Sequence, residues 1–256
     1  MILLPAIDII GGRTVRLTEG DYSQEKGYGM TPLEAALSFE EAGAEWIHLV
    51  DLEGAKAGHP VNTETLTEIR RHLKAKLEVG GGIRSLESAL HLIDLGIDRV
   101  VIGSKAIEDP EEAVRIIREL GAQAAIGLDL RDGRPAIHGW TKVADFDGLS
   151  LAKELEAEGA RCFIVTDIAT DGRLSGPNLE LMKLYAKELQ AEVIASGGVA
   201  ELQDLVNLAE TGVSGVIVGK AIYEGRFTAA QAISALSSQA ASKHGPGTAS
   251  SGTPVK

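Results

Sequence analysis

This chain repeats itself, and the repeat limits what it can fold into more than any other feature. Val79 to Arg84 reads V-G-G-G-I-R, and Ile194 to Val199 reads I-A-S-G-G-V. Each follows a short apolar run and precedes a helical pattern. Another apolar run ending in glycine lies about twenty residues beyond each: Val100 to Ser104, containing Gly103, and Val216 to Lys220, containing Gly219. Four matched pairs stand 116 positions apart, namely Asp51 and Asp167, Asn62 and Asn178, Gly81 and Gly197, and Gly103 and Gly219. Asp8 and Asp129 are 121 apart, so one block carries five extra residues, which fit best in the long segment after the first strand. Two fused copies of one unit explain this pattern.

Eight strand patterns alternate with about eight helical ones, which predicts an α/β fold of the (β/α)8 (TIM) barrel type. A doubly wound open sheet is the alternative, but it does not require matching halves. Strands are expected at Ile2 to Ile7, Trp46 to Val50, Ala124 to Leu128 and Cys162 to Val165, and before each glycine turn. Helices are expected to start at Thr31-Pro32, at Asn62, at Asp109-Pro110 and at Asn178, where a capping side chain or proline suits a first turn. Gly11 to Met30 reads as a long mobile loop. The expected domain is a single barrel over residues 1–236, with half-barrels of about 1–120 and 121–236. Residues 237–256 are rich in Ser, Ala, Gly, Pro and Thr and are expected to form a disordered tail.

Composition narrows the function. Apolar residues make up 44% and aromatics 4%, which suits aliphatic parallel strands buried on both faces. The net charge of -12 argues against nucleic acid or an anionic membrane as partner. The single cysteine, Cys162, excludes an internal disulfide and fits a reducing compartment. Met1 runs directly into a strand pattern, so neither signal peptide nor membrane span is expected, and the cytoplasm is the expected location. A monomer suffices for a barrel. No His/Cys cluster has metal spacing, and neither a dinucleotide fingerprint nor a nucleophile elbow occurs. No metal and no cofactor are therefore expected.

The duplicated glycine turns are candidate phosphate cradles, since glycine lets backbone N–H groups approach an anion at a helix start. Tight βα turns would also use such glycines; duplication of the whole pattern favours the cradle. In barrels the reactive groups gather at the C-terminal ends of the strands. Asp8 and Asp129 end strands one and five, opposite one another, where a carboxylate pair can divide proton donation and abstraction. Asp51 and Asp167 read as loop braces or contacts to substrate hydroxyls. Thr166 could position a proton donor or the substrate, or simply be a strand threonine. Arg84 could reach a carboxamide or phosphate, and Ser104 and Lys220 could complete the cradles. His48 reads as a satisfied, partly buried ring, with a ligand role open to it.

Several stretches resemble the phosphoribosylformimino-5-aminoimidazole carboxamide ribotide isomerases of histidine biosynthesis. They are L-L-P-A-I-D-I-I-G-G-R at the start, H-L-V-D-L-E-G-A from His48, V-G-G-G-I-R, T-D-I-A-T-D-G-R-L-S-G-P-N from Thr166, I-A-S-G-G-V, and V-I-V-G-K-A-I-Y-E-G. The resemblance covers Met1 to about Leu236. A related cyclase shares the half-barrel plan, but its first strand reads like C-L-D-V, unlike A-I-D-I here. The resemblance implies an Amadori rearrangement of a bis-phosphorylated aminoaldose to an aminoketose. It assigns Asp8 as general base, Asp129 as general acid and Thr166 as their helper. It also places Arg13, Gly20, Arg84 and Trp140 at the substrate, with Trp140 stacked on the imidazole ring. One phosphate would lie on Gly81, Gly82, Gly103 and Ser104, the other on Gly176, Gly198, Gly219 and Lys220. Some relatives of such isomerases also process phosphoribosylanthranilate. A non-catalytic sugar-phosphate-binding barrel is the alternative from another class.

Overall fold

The computed structural model describes residues 1–18 and 21–243, without the side chains of residues 16–26 and 240–243. The first half runs β1 (Ile2–Ile10), β2 (Arg13–Thr18), β3 (Asp21–Gly27), α1 (Pro32–Glu41), β4 (Trp46–Asp51), α2 (Leu52–Ala57) and α3 (Thr63–His72). It continues with β5 (Lys76–Gly80), α4 (Leu86–Asp94), β6 (Arg99–Ile102), α5 (Lys105–Glu108) and α6 (Pro110–Leu120). The second half opens with β7 (Ala124–Arg131), β8 (Arg134–Ile137), β9 (Lys142–Val143), α7 (Gly148–Ala157), β10 (Cys162–Asp167) and α8 (Leu179–Glu188). It ends with β11 (Glu192–Ser196), α9 (Leu202–Thr211), β12 (Gly215–Val218), α10 (Lys220–Tyr223) and α11 (Ala229–Lys243).

Eight parallel strands close into a ring in the order β1, β4, β5, β6, β7, β10, β11, β12, with β12 pairing back onto β1. This is the expected (β/α)8 barrel. Each strand has two buried faces. Leu3, Ile7 and Ile9 of β1, with Leu77, Val79, Phe163 and Val165, pack outward against the helices. Leu4, Ala6, Ala125, Cys162, Ile164, Ile194 and Ile217 fill the interior. The alternation follows from the two-residue period of a strand. It also explains the continuous apolar runs, since neither face meets water. Burial pushes the Cys162 thiol up to about 12.

The helix starts follow their local chemistry. Thr31 and Glu34 form a capping box on α1, with Pro32 in its first turn. Asp109 accepts from Glu112 N at the start of α6, and Asn178 accepts from Leu181 N at the start of α8. The apolar face of α3 buries Leu66, Ile69 and Leu73 as its spacing predicts.

Several expectations need correction. Residues Gly11 to Met30 are not a plain loop: β2 and β3 form an antiparallel hairpin that continues from β1, with Ile10 opposite Arg13 and Val15 opposite Gly27. The Gly11-Gly12 pair reverses the chain with φ of 56° and 68°, the geometry that a two-residue hairpin turn requires. Because β1 pairs with β2, it runs past Asp8 to Ile10. The extra length of the first half does lie in this segment. The α2 helix was not foreseen. Asn62 holds the N-cap position of α3 but makes no side-chain cap bond. Finally, α11 carries on through Lys243, beyond Ser237 where the tail was expected to begin. Ser237 and Ser238 bond back to the helix carbonyls, and Gln239 reaches Val206 O. Residues 244–256 lie outside the described residues. Among the described residues, no helix is long and apolar enough to cross a membrane.

Candidate active site

Strand parity decides which side chains reach the mouth. On β1, Leu4 and Ala6 face the interior, so Asp8, two residues further, faces the same side at the C-terminal rim. By the same rule Val50, Gly80, Gly103, Asp129, Thr166, Ser196 and Gly219 complete that rim. Asp8 and Asp129 stand on β1 and β7, four steps apart around the eight-stranded ring and therefore opposite. Asp51 and Asp167 have the other parity and face away from the mouth. Asp51 is fully buried and accepts from Gly54 N at 2.8 Å, Val61 N at 2.6 Å, Asn62 N at 2.9 Å and Asn62 Nδ2 at 2.7 Å. Asp167 accepts from Ala169 N at 2.9 Å and Asn178 Nδ2 at 2.7 Å. Both are loop braces, and Asn62, while donating Nδ2 to Asp51, turns its Oδ1 to Gly12 N at 3.1 Å instead of capping its own helix.

The two opposed acids differ in surroundings. Asp8 is buried, with Val50 at its side on β4. Asp129 is partly open to the mouth yet crowded by protein on its other sides. Its partner on β10 is Thr166, whose side chain bonds it, and Trp140 Nε1 donates to Oδ2 at 2.7 Å. Burial pushes the Asp129 carboxyl above the ordinary carboxylate range, and the Asp171 carboxylate adds to that rise. The Trp140 and Thr166 hydrogen bonds oppose it. A carboxyl that holds its proton to higher pH suits a general acid.

Trp140 sits at the end of a run of left-handed backbone, with His138, Gly139 and Trp140 at φ of 55°, 62° and 69°. Two of these residues carry side chains that disfavour such angles, so the loop holds Trp140 in a strained setting.

The glycine turns separate into two kinds. Gly81 and Gly82 adopt φ of 109° and 77°. A Cβ on Gly82 would come within 2.6 Å of Gly54 O and the His59 backbone, and one on Gly81 would strike Asp51 O. Packing alone therefore demands glycine there. Gly103 has no left-handed φ, and a Cβ on it would meet nothing within 4 Å. The fold does not require glycine at Gly103, and the space beside its backbone is empty. In the second half, Gly198, Gly219 and Lys220 share a recess of about 320 Å³, open solvent included, with Gly172, Ser196 and Gly197. Gly176 N bonds Gly198 O at 3.0 Å, and Lys220 Nζ is parked on Gly172 O at 2.6 Å.

The remaining expected site residues are more scattered. Ser104 begins α5 with no side-chain cap bond. Arg84 is exposed and lies across the end of α2, 3.5 Å from Ala55 O and packed over Gly58. Arg13 is exposed at the start of β2. Gly20 lies outside the described residues. His48 Nδ1 lies 2.7 Å from Glu78 Oε1, so the ring is partnered and keeps 12% of its side chain exposed. Three polar residues were not foreseen: Glu78 and Arg99, buried beneath the rim, and Asp171 beside it. Asp171 had no signal in the repeat, because its counterpart 116 positions earlier is Ala55.

Fold and site together define a (β/α)8 barrel of duplicated halves whose acids and glycine turns share one mouth. The chain belongs to the histidine biosynthesis protein family, whose model matches residues 2–228. It is 49% identical over 237 residues to a protein of Bacillus velezensis, covering 91% of this chain and 97% of that one. That relative is named 1-(5-phosphoribosyl)-5-((5-phosphoribosylamino)methylideneamino) imidazole-4-carboxamide isomerase. Proteins of the same name from Ruminiclostridium cellulolyticum and Bacillus subtilis are 44% and 47% identical. These alignments cover 92% and 90% of this chain and 100% and 96% of those relatives.

Proposed function

We propose that this chain is an aldose–ketose isomerase of histidine biosynthesis, carrying out the Amadori rearrangement of the bis-phosphorylated aminoaldose in its relatives' name. Asp129 as general acid protonates the furanose ring oxygen and the ring opens to an iminium. Asp8 as general base removes the proton from C2, and the enolamine relaxes to the aminoketose. Proton transfer between side chains and substrate completes the balance, so no cofactor or metal is required. Thr166 steadies Asp129. Gly81, Gly82, Gly103 and Ser104 hold one phosphate and Gly176, Gly198, Gly219 and Lys220 the other. Arg13, Gly20, Arg84 and Trp140 contact the body of the substrate.

The observation that carries this reading is the pair of opposed rim acids, of which Asp129 has a raised pKa. The relatives' names support the single-substrate isomerase over a dual-substrate enzyme or a silent sugar-phosphate-binding barrel. On the same reading the protein works as a monomer in the cytoplasm, apart from nucleic acid and membranes, in keeping with its charge of -12.

The test is Asp8→Asn and Asp129→Asn, assayed by absorbance with the aminoaldose ribotide and with phosphoribosylanthranilate as a competing substrate. Each variant should lose about 10²- to 10⁴-fold in kcat while ligand affinity stays within about tenfold. Undiminished turnover in both would overturn the acid–base assignment.

A further inference from the structure

Three interior positions of the first half break the duplication. His48, Glu78 and Arg99 lie side by side on β4, β5 and β6, with His48 opposite Glu78 and Glu78 opposite Arg99. The same positions 116 residues later hold Ile164, Ile194 and Gly215. Ile164 and Ile194 belong to the apolar filling of the barrel. A barrel that packs isoleucine on one side has no structural need of a carboxylate on the other. Buried ion pairs are often no more stabilising than well-packed apolar residues. The charges therefore point to a chemical role.

Glu78 is fully buried. Its Oε2 accepts from Arg99 Nε at 2.5 Å, and its Oε1 lies 2.7 Å from His48 Nδ1. Arg99 is held in turn, stacked 4.3 Å from the centre of the Trp46 ring and 3.7 Å from Glu192. Burial works to raise the Glu78 carboxyl, but the hydrogen bonds from His48 and Arg99 and the Arg99 charge beside it bring it below the ordinary range. Glu78 is thus a carboxylate, which can only accept, so the proton it meets must sit on His48 Nδ1. In the neutral ring this leaves the lone pair on Nε2. The ring itself stands opposite Ala6, one pleat below Asp8.

We propose that Glu78, anchored by Arg99, is a positioning residue for the isomerisation. It fixes His48 with the proton on Nδ1 and presents the Nε2 lone pair to the mouth between Asp8 and Asp129, where it accepts from a sugar hydroxyl of the substrate. This rests on the isomerase reading and adds a residue that never touches substrate. The equivalent histidine position in the second half is Ile164, so only one side of the mouth offers this acceptor.

The test is Glu78→Gln. Arg99 can only donate, so the new amide must give it the oxygen and turn its NH2 toward His48, which demands a bare Nδ1. The ring is then driven to the Nε2–H tautomer. In 15N-histidine-labelled protein, long-range 1H–15N correlation should show Nδ1–H for His48 in the wild type and Nε2–H in Glu78→Gln. The His48→Gln spectrum assigns the signal. With the ribotide substrate, Glu78→Gln should lower kcat about 10- to 100-fold, the scale typical of groups that orient a functional histidine. In a His48→Gln background the same change should alter kcat less than about twofold. Equal losses in both backgrounds would make Glu78 merely structural and overturn the proposal. So would a neutral wild-type His48 carrying its proton on Nε2, a measurement that needs no variant to fold. Wild-type turnover is measured first: its absence would count against the isomerase reading, while the tautomer result would still judge the Glu78–His48 contact.

Discussion

Gly103→Ala separates a glycine kept for the fold from one kept for a ligand. The Gly103 backbone is not left-handed, and the space where a methyl would sit is empty to 4 Å. The substitution should therefore leave the barrel intact. It should even stabilise it by about 0.4–1 kcal/mol, because alanine has less freedom to lose from the unfolded chain. The same methyl stands where the first phosphate is proposed to meet the backbone. A hydrogen bond to a charged oxygen contributes about 1.5–3 kcal/mol. Losing one such bond should weaken binding about 10- to 150-fold, since 1.4 kcal/mol is a factor of ten. Gly82→Ala is the contrast. Its φ of 77° and a contact of 2.6 Å with the Gly54 and His59 backbone should cost about 2–5 kcal/mol of stability. Urea unfolding and the KM for the ribotide, measured on both variants, give the two axes. Gly103→Ala with wild-type KM would refute a phosphate at this turn. A loss of stability matching that of Gly82→Ala would refute the division of the glycines.

Two further outcomes follow from the site and its braces. Trp140→Phe removes a donor that favours ionised Asp129, so burial acts with less opposition and the carboxyl keeps its proton to still higher pH. The alkaline limb of kcat/KM, which reports the free enzyme's acid, should move to higher pH; a limb that stays or falls would separate Asp129 from the general acid. Asp51→Ala should destabilise more than Asp167→Ala, because it strands four donors instead of two, each worth about 1–3 kcal/mol when buried. Equal urea midpoints for the two would show that the additional bonds to Asp51 contribute nothing.

The barrel was legible because its signals are redundant. Apolar strands buried on both faces, glycine turns and capping residues recur in both halves, so an ambiguous segment is settled by its counterpart. The hairpin after β1 has a counterpart in β8 and β9 after β7, but the two differ in length and sequence, so neither half revealed the other's. Gly11-Gly12 was a turn signal followed by alternating Thr14, Val15, Arg16 and Leu17, but a charged, glycine-containing stretch reads as loop when weighed by composition. Asn62 shows another limit. A capping oxygen at a helix start is also free to accept elsewhere: Asn62 Oδ1 accepts from Gly12 N at 3.1 Å, whereas the Asn178 oxygen accepts from Leu181 N and caps its helix. The tail fared similarly: Ser237 and Ser238 are poor helix formers by propensity, yet α11 extends through them.

The site was legible only as far as the halves agree. Duplication placed Asp8 and Asp129 at equal positions and so could not assign them different work. Their difference comes from residues without a matching partner. The neighbour of Asp129 on the next strand is Thr166; the equivalent neighbour of Asp8 is Val50. Asp171, which raises Asp129, corresponds to Ala55. Trp140 rises from a strained turn in the second half. His48, Glu78 and Arg99 face their apolar or glycine counterparts across the barrel. Phosphate binding at both ends of a substrate needs the same device twice, and a symmetric scaffold supplies it. Proton transfer in one direction needs two unlike acids. In this fold the reaction can only be assigned where the twofold fails, and a variant such as Thr166→Val, which makes the surroundings of Asp129 more like those of Asp8, should lower kcat far more than it lowers stability.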